Sequence, residues 1–189
     1  MASGIPVSGV AMPGHRAPAV GLDMPFEMLE ACHERVQRSL QLLQKLQAYL
    51  RDQGHDASAA QAARDVLRYF DLAAPLHHQD EELHVFPLLL AHGDADLSAA
   101  VSRLQSDHRT MEQMWLGVAV VLRRIADASS SAWQPLSVAE LAALCDFASL
   151  YGDHIALEES LVYPQARSAI TEVQLQAMRD DMVQRRTSK

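Results

Sequence analysis

His77 and Glu81, followed by Pro87, recur as His154, Glu158 and Pro164, with all three positions displaced by the same 77 residues. No other feature of the chain limits its fold so strongly. Residues four apart lie on one face of an α-helix, on adjacent turns. Each copy therefore aims one imidazole and one carboxylate in the same direction. Burying a bare carboxylate costs several kcal/mol unless a cation or hydrogen bonds compensate. Two such helices face to face would bring two His and two Glu to one point, a donor set suited to metal.

The surrounding residues supply the helices. After Met24, the residues Phe26, Leu29, His33, Val36, Leu40, Leu43 and Leu50 recur at steps of three, four or seven, up to a stop at Gly54. A second helix is expected from about Ser58 to Leu90, with Ala62, Val66, Phe70, Ala73, His77, Glu81, His84 and Leu88 inward. Pro75 predicts a kink there and Pro87 a loosened turn, because each lacks an amide proton. After the His92-Gly93-Asp94 turn, a third helix over about 96–127 carries Leu97, Val101, Leu104, His108, Met111, Trp115, Val118, Leu122 and Ile125. Ser137, with Glu140 three residues on, forms a capping box for a fourth. That helix carries Leu141, Leu144, Ala148, Tyr151, His154, Glu158 and Leu161 inward and ends near Pro164. A short fifth helix is expected at about 171–185.

No strand-like alternation appears, so the expected class is all-α: an up-down antiparallel four-helix bundle. It contains an internal repeat of two hairpins. The third helix repeats the first at an offset of 75, aligning His108 with His33, and the fourth repeats the second at 77. Residues 1–23, with scattered Gly and Pro, are expected as a flexible arm, and residues 24–186 as the bundle.

A lone inward His is more often a satisfied core residue than a ligand, and a His-x-x-x-Glu pair alone fits an exposed helix face. Here the pattern returns on four helices. The candidate metal ligands are His33, His77, Glu81, His108, His154 and Glu158. Imidazoles and carboxylates without thiolate suit a pair of iron or manganese ions, with each Glu able to bridge. His78 and Glu82 are also four apart, but only His77 and Glu81 keep the spacing to the following Pro. His84 reads as a core or outer residue and Glu112 as part of a solvated face, although both have ligand chemistry. Asp107, Glu34 and Glu159 are placed to be exposed or to steer imidazole N–H groups. His15, His55 and His92 carry no pattern, and Cys32 reads as a small buried residue.

The chain's 189 residues, 49% hydrophobic, suffice for one domain with a substantial core. A net charge of −8, with no basic cluster before Arg185-Arg186, argues against a nucleic-acid partner. No apolar run approaches the roughly 20 residues that cross a bilayer, and no secretory signal pattern opens the chain. Cys32 and Cys145 form no CxxC, so a reducing cytoplasm is the expected compartment.

The two motifs, His77-x-x-x-Glu81-Glu82-x-x-Val85-Phe86-Pro87 and His154-x-x-x-Glu158-Glu159-x-Leu161-Val162-Tyr163-Pro164, each preceded by a lone helical His, resemble the hemerythrin-like HHE cation-binding domain, bacterial type. The resemblance covers about residues 24–186. It implies a non-haem di-iron centre, oxo- or hydroxo-bridged, with Mn or Zn able to substitute. His33, His77, His108 and His154 would be terminal ligands, and Glu81 and Glu158 bridges. Oxygen-carrying hemerythrins have a second His where Glu112 stands and end with an Asp, whereas here Glu158 would fill the bridging role. The set is thus closer to bacterial relatives tied to nitric oxide and oxidative stress. The expected function is binding or sensing of O2, NO or peroxide, with an electron donor or signalling partner. Rival expectations are a stress-repair enzyme, through NO or peroxide reduction or iron–sulfur cluster repair, and an iron store or delivery protein.

Overall fold

The computed structural model describes residues 24–91 and 94–187; the expected N-terminal arm and the His92-Gly93 part of the turn lie outside them. Among the described residues the chain is all-α, without strands. Helix α1 spans Pro25–Asp52. Gly54, at φ +81°, ends it in the left-handed region that glycine enters without strain. Helix α2, Ala57–Asp80, opens on an Asp56 side chain that accepts from the Ala59 amide, and it continues through Pro75. A π-helical turn, Glu81–Val85, follows, and then α3, Phe86–Leu90.

Helix α4, Ala95–Asp127, starts on an Asp94 cap. The fourth span begins at the expected Ser137–Glu140 capping box with α5, Val138–Ser149, and continues as α6, Tyr151–Leu157. It passes through a second π-helical turn, Glu158–Val162, into α7, Tyr163–Ala169. Helix α8, Glu172–Thr187, follows.

Each π turn ends two residues before a proline, Pro87 or Pro164. A proline has no amide proton, and its ring collides with the carbonyl four residues back. The chain widens instead: the Phe86 amide reaches the Glu81 carbonyl and the Tyr163 amide reaches the Glu158 carbonyl, each five residues back. The extra residue corrects the expected inward stripes. Beyond Glu81 the buried residues are Val85, Phe86 and Leu89, with His84 and Leu88 only partly covered. Beyond Glu158 they are Val162, Tyr163 and Ala166 in place of Leu161. Upstream of the turns, Ala63 and Ala74 rather than Ala62 and Ala73 are buried on α2, and Phe147 rather than Ala148 on α5. In those spans a neighbouring residue, one step round the helix, takes the inward place.

Helix α1 packs on α2, α2 on α4, α4 on α5 and α5 on α1. The apolar interior falls into two clusters, one around Leu43, Phe70, Leu122 and Phe147, the other around Leu29, Phe86, Leu104 and Tyr163. Each span crosses from one cluster to the other at its histidine. His33 lies between Leu29 and Val36, His77 between Ala74 and Val85, His108 between Leu104 and Met111, and His154 between Tyr151 and Val162. The polar residues therefore occupy a layer sandwiched by hydrocarbon. No described helix is long and apolar enough to cross a membrane.

Candidate metal centre

In that layer His33 comes from α1, His77 from α2, His108 from α4 and His154 from α6, while each π turn opens on its glutamate, Glu81 or Glu158. All six are buried, and both glutamates are fully inaccessible. The imidazole Nε2 atoms face the carboxylates. Glu81 Oε1 lies 3.6 Å from His77 Nε2, and its Oε2 lies 3.4 Å from His108 Nε2. Glu158 Oε2 lies 3.1 Å from His33 Nε2, and its Oε1 lies 3.0 Å from His154 Nε2 and 3.9 Å from His108 Nε2. Each carboxylate therefore offers one oxygen to a His33–His77 side and the other to a His108–His154 side.

These contacts are close without being hydrogen bonds. Glu81 Oε2, both oxygens of Glu158, and the Nε2 atoms of His108 and His154 are buried with no hydrogen-bond partner. Native interiors rarely leave such groups unpaired. Buried donor atoms that converge in this way fit a cation. Donor atoms of His33, His77, Glu81 and Glu158, and those of His108, His154 and Glu158, lie mutually within 4.8 Å, close enough for each group to hold a metal ion.

The outer ring nitrogens point the same way. Glu159 Oε1 is 2.8 Å from His33 Nδ1, Glu82 Oε1 is 3.1 Å from His108 Nδ1, and Asp107 Oδ2 is 3.4 Å from His154 Nδ1. A carboxylate at Nδ1 holds the proton there and leaves the Nε2 lone pair for a metal. Glu159 and Asp107 thus take the steering role expected of them. Glu34 instead pairs with Arg38 on the surface. Glu82 was legible only as a member of a rejected register.

Charge is finely balanced here. Burial pulls the His33 imidazole down, but the adjacent Glu158 carboxylate, together with Glu81 and Glu159, outweighs it and lifts the group to about 9. Burial likewise opposes the His108 cation, and Glu81 with Glu158 raises it. His77 and His78 are held well below the usual imidazole range by burial and by the neighbouring imidazoles. Burial and the Glu158 charge raise Glu81, whereas His154 and His33 overcome burial to keep Glu158 ionised. The metal-free centre thus uses protons where a cation would serve.

Several other residues take definite places. His84 turns to the surface and binds Asp181 of α8 at 2.7 Å, and Glu112 is exposed; neither joins a donor group. His55 reaches the Ile125 carbonyl at 2.8 Å and stacks on Trp133, far from the centre. Cys32 is buried and free. His78, set aside as a ligand by its spacing to Pro87, is buried and stacks on His108 with 4.0 Å between centroids. Beside it lies a cavity of about 40 Å³ lined by Phe70, Pro75, His78, Met111, Trp115 and Tyr151, among others. Sequence reasoning also missed Tyr163, whose hydroxyl donates to Glu81. The available signal was an aromatic residue before the proline in both motifs.

Residues 24–166 match the family model of the hemerythrin HHE cation binding domain. An uncharacterized protein of Haemophilus influenzae is 31% identical over 165 residues, which is 87% of this chain and 91% of that protein. With buried histidines and glutamates gathered on the helices within the matched span, the chain belongs to the hemerythrin HHE cation-binding family.

Proposed function

We propose that this protein is an up-down four-helix bundle of two repeated hairpins that holds two iron ions and binds or senses O2, NO or peroxide. His33 and His77 would hold one ion and His108 and His154 the other, with Glu81 and Glu158 each able to present an oxygen to either side. The observation that carries this reading is the pair of inaccessible carboxylates, three of whose four oxygens have no hydrogen-bond partner. Burying such a charge costs several kcal/mol unless a nearby cation offsets it. Nitrogen and oxygen donors without thiolate suit iron or manganese.

A bound iron pair supplies one-electron exchange and a position for a small ligand. The protein's own residues do the rest. Glu159, Glu82 and Asp107 hold the imidazole planes, and the two apolar clusters exclude water. A cavity of about 40 Å³ next to His78, which stacks on His108, has room for a small molecule near this layer.

The test is metal content together with the ultraviolet-visible spectrum, before and after anaerobic reduction. About two irons per chain, with bands that bleach on reduction and respond to O2 or NO, is the expected result. A single zinc, or no metal in protein from its native host, would overturn the reading.

A further inference from the structure

Tyr163 lies outside the six-residue set, yet its hydroxyl reaches into the middle of it. The side chain is buried, its ring stacks on His33 with centroids 5.5 Å apart, and its oxygen is 3.2 Å from His33 Nε2. With Glu159 at His33 Nδ1, an ion bound at Nε2 would leave that atom no proton to give the phenol oxygen. The hydroxyl has one proton to give, and it goes to Glu81 Oε1.

The other motif provides an internal comparison. The residue 77 positions earlier is Phe86, which stacks on His108 with centroids 5.6 Å apart. The ring is kept and the hydroxyl is absent. The two carboxylates, alike in burial and in motif, are therefore held differently. Glu81 receives a phenol proton on Oε1, whereas neither oxygen of Glu158 has a hydrogen-bond partner among the described residues.

That single bond acts on orientation and on charge. A glutamate's terminal torsion is broad and roughly two-fold, so a carboxylate turns readily unless it is held. The phenol pins Oε1 on the His33–His77 side and leaves Oε2 facing His108 at 3.4 Å. A donated hydrogen bond also draws electron density from Oε1, making it a weaker donor to a cation.

We propose that Tyr163 is a positioning residue that makes the two halves of the centre unequal, holding Glu81 across both and weakening its donation on the His33–His77 side. This rests on the two-ion reading above. Tyr163 itself transfers no electron and forms no covalent bond.

The experiment compares iron-loaded wild-type protein with Tyr163→Phe, which keeps the ring and its packing. Iron per chain is counted first, then the midpoint potential and the Mössbauer spectrum are recorded. The expected variant keeps the wild-type iron content and far-ultraviolet circular dichroism. Its midpoint potential falls, because a carboxylate relieved of its proton donor favours the oxidised ion. The two iron environments also become more alike. Unchanged potential and spectrum at full iron content would overturn the proposal and leave the two-ion reading intact. Loss of an iron on substitution would make the phenol a ligand and overturn it as well. A wild-type protein without iron would remove both.

Discussion

At the scale of single residues, the centre is a set of carboxylates doing two different tasks. Glu81 and Glu158 point at the converging imidazole nitrogens, while Glu82, Glu159 and Asp107 hold those imidazoles from behind. The two tasks separate by mutation. Glu158→Ala removes oxygens presented to both sides and abolishes binding of at least one metal ion per chain, read by metal analysis after desalting. Glu82→Ala or Glu159→Ala leaves the metal number unchanged and lowers affinity by roughly 10–100-fold, as competition with a chelator would reveal. Equal losses in both kinds of variant would contradict the division. Both glutamates were legible as inward partners of a histidine because a His-x-x-x-Glu spacing places both side chains on one helical face. Their supporting carboxylates were not all legible, since Glu82 reaches His108 across 26 positions of sequence and from another helix.

At the scale of elements, the π turns are what the prolines contribute. Each begins at a glutamate and ends before an aromatic–proline pair, so widening the backbone brings the aromatic onto an imidazole. Pro164→Ala restores an amide proton and permits an ordinary helical turn. The expected outcome is weaker metal binding with helix content unchanged. Metal affinity equal to wild type would mean that packing, rather than proline, sets the turn. Helix α8 is a second device at this scale. Asp80, fully inaccessible and adjacent to Glu81, accepts from Arg185 at 2.6 Å and from Arg186, while Met178 and Met182 are buried beneath them. Asp181 adds the bond to His84. Asp80→Ala leaves two guanidinium groups without their buried partner, and a loss of about 2–3 kcal/mol is expected in denaturant unfolding. A loss below about 0.5 kcal/mol would show that α8 is held by its methionines alone.

At the scale of the whole molecule, metal and protons compete for the same layer. The raised His33 imidazolium stabilises the metal-free fold fully below pH 6.5, and that contribution is lost as pH rises toward about 9. The raised Glu81 carboxyl acts in the same sense, lending stability at low pH that disappears as it ionises. His77 and His78 act oppositely, because the unfolded chain takes up protons below pH 6.5 that these buried rings refuse. Metal-free protein is therefore expected to be most stable near pH 6.5 and to lose melting temperature on both sides. Metal displaces the protons and should flatten the alkaline fall. At a free concentration about 1,000 times the dissociation constant it also adds about 4 kcal/mol. An apo melting temperature that stayed constant from pH 6.5 to 9 would contradict this account.

From the sequence alone came the helical class, the caps at Gly54 and Ser137, and the six candidate donors that the fold gathers, because helical periodicity and the 77-residue echo are local properties of the chain. The tertiary structure decided which oxygen faces which imidazole, where the π turns shift the buried stripe, and that Tyr163 and His78 reach the centre. It also decided that α8 locks onto Asp80. These depend on contacts between residues distant in sequence and on a backbone register changed by one residue. Helical spacing does not encode either.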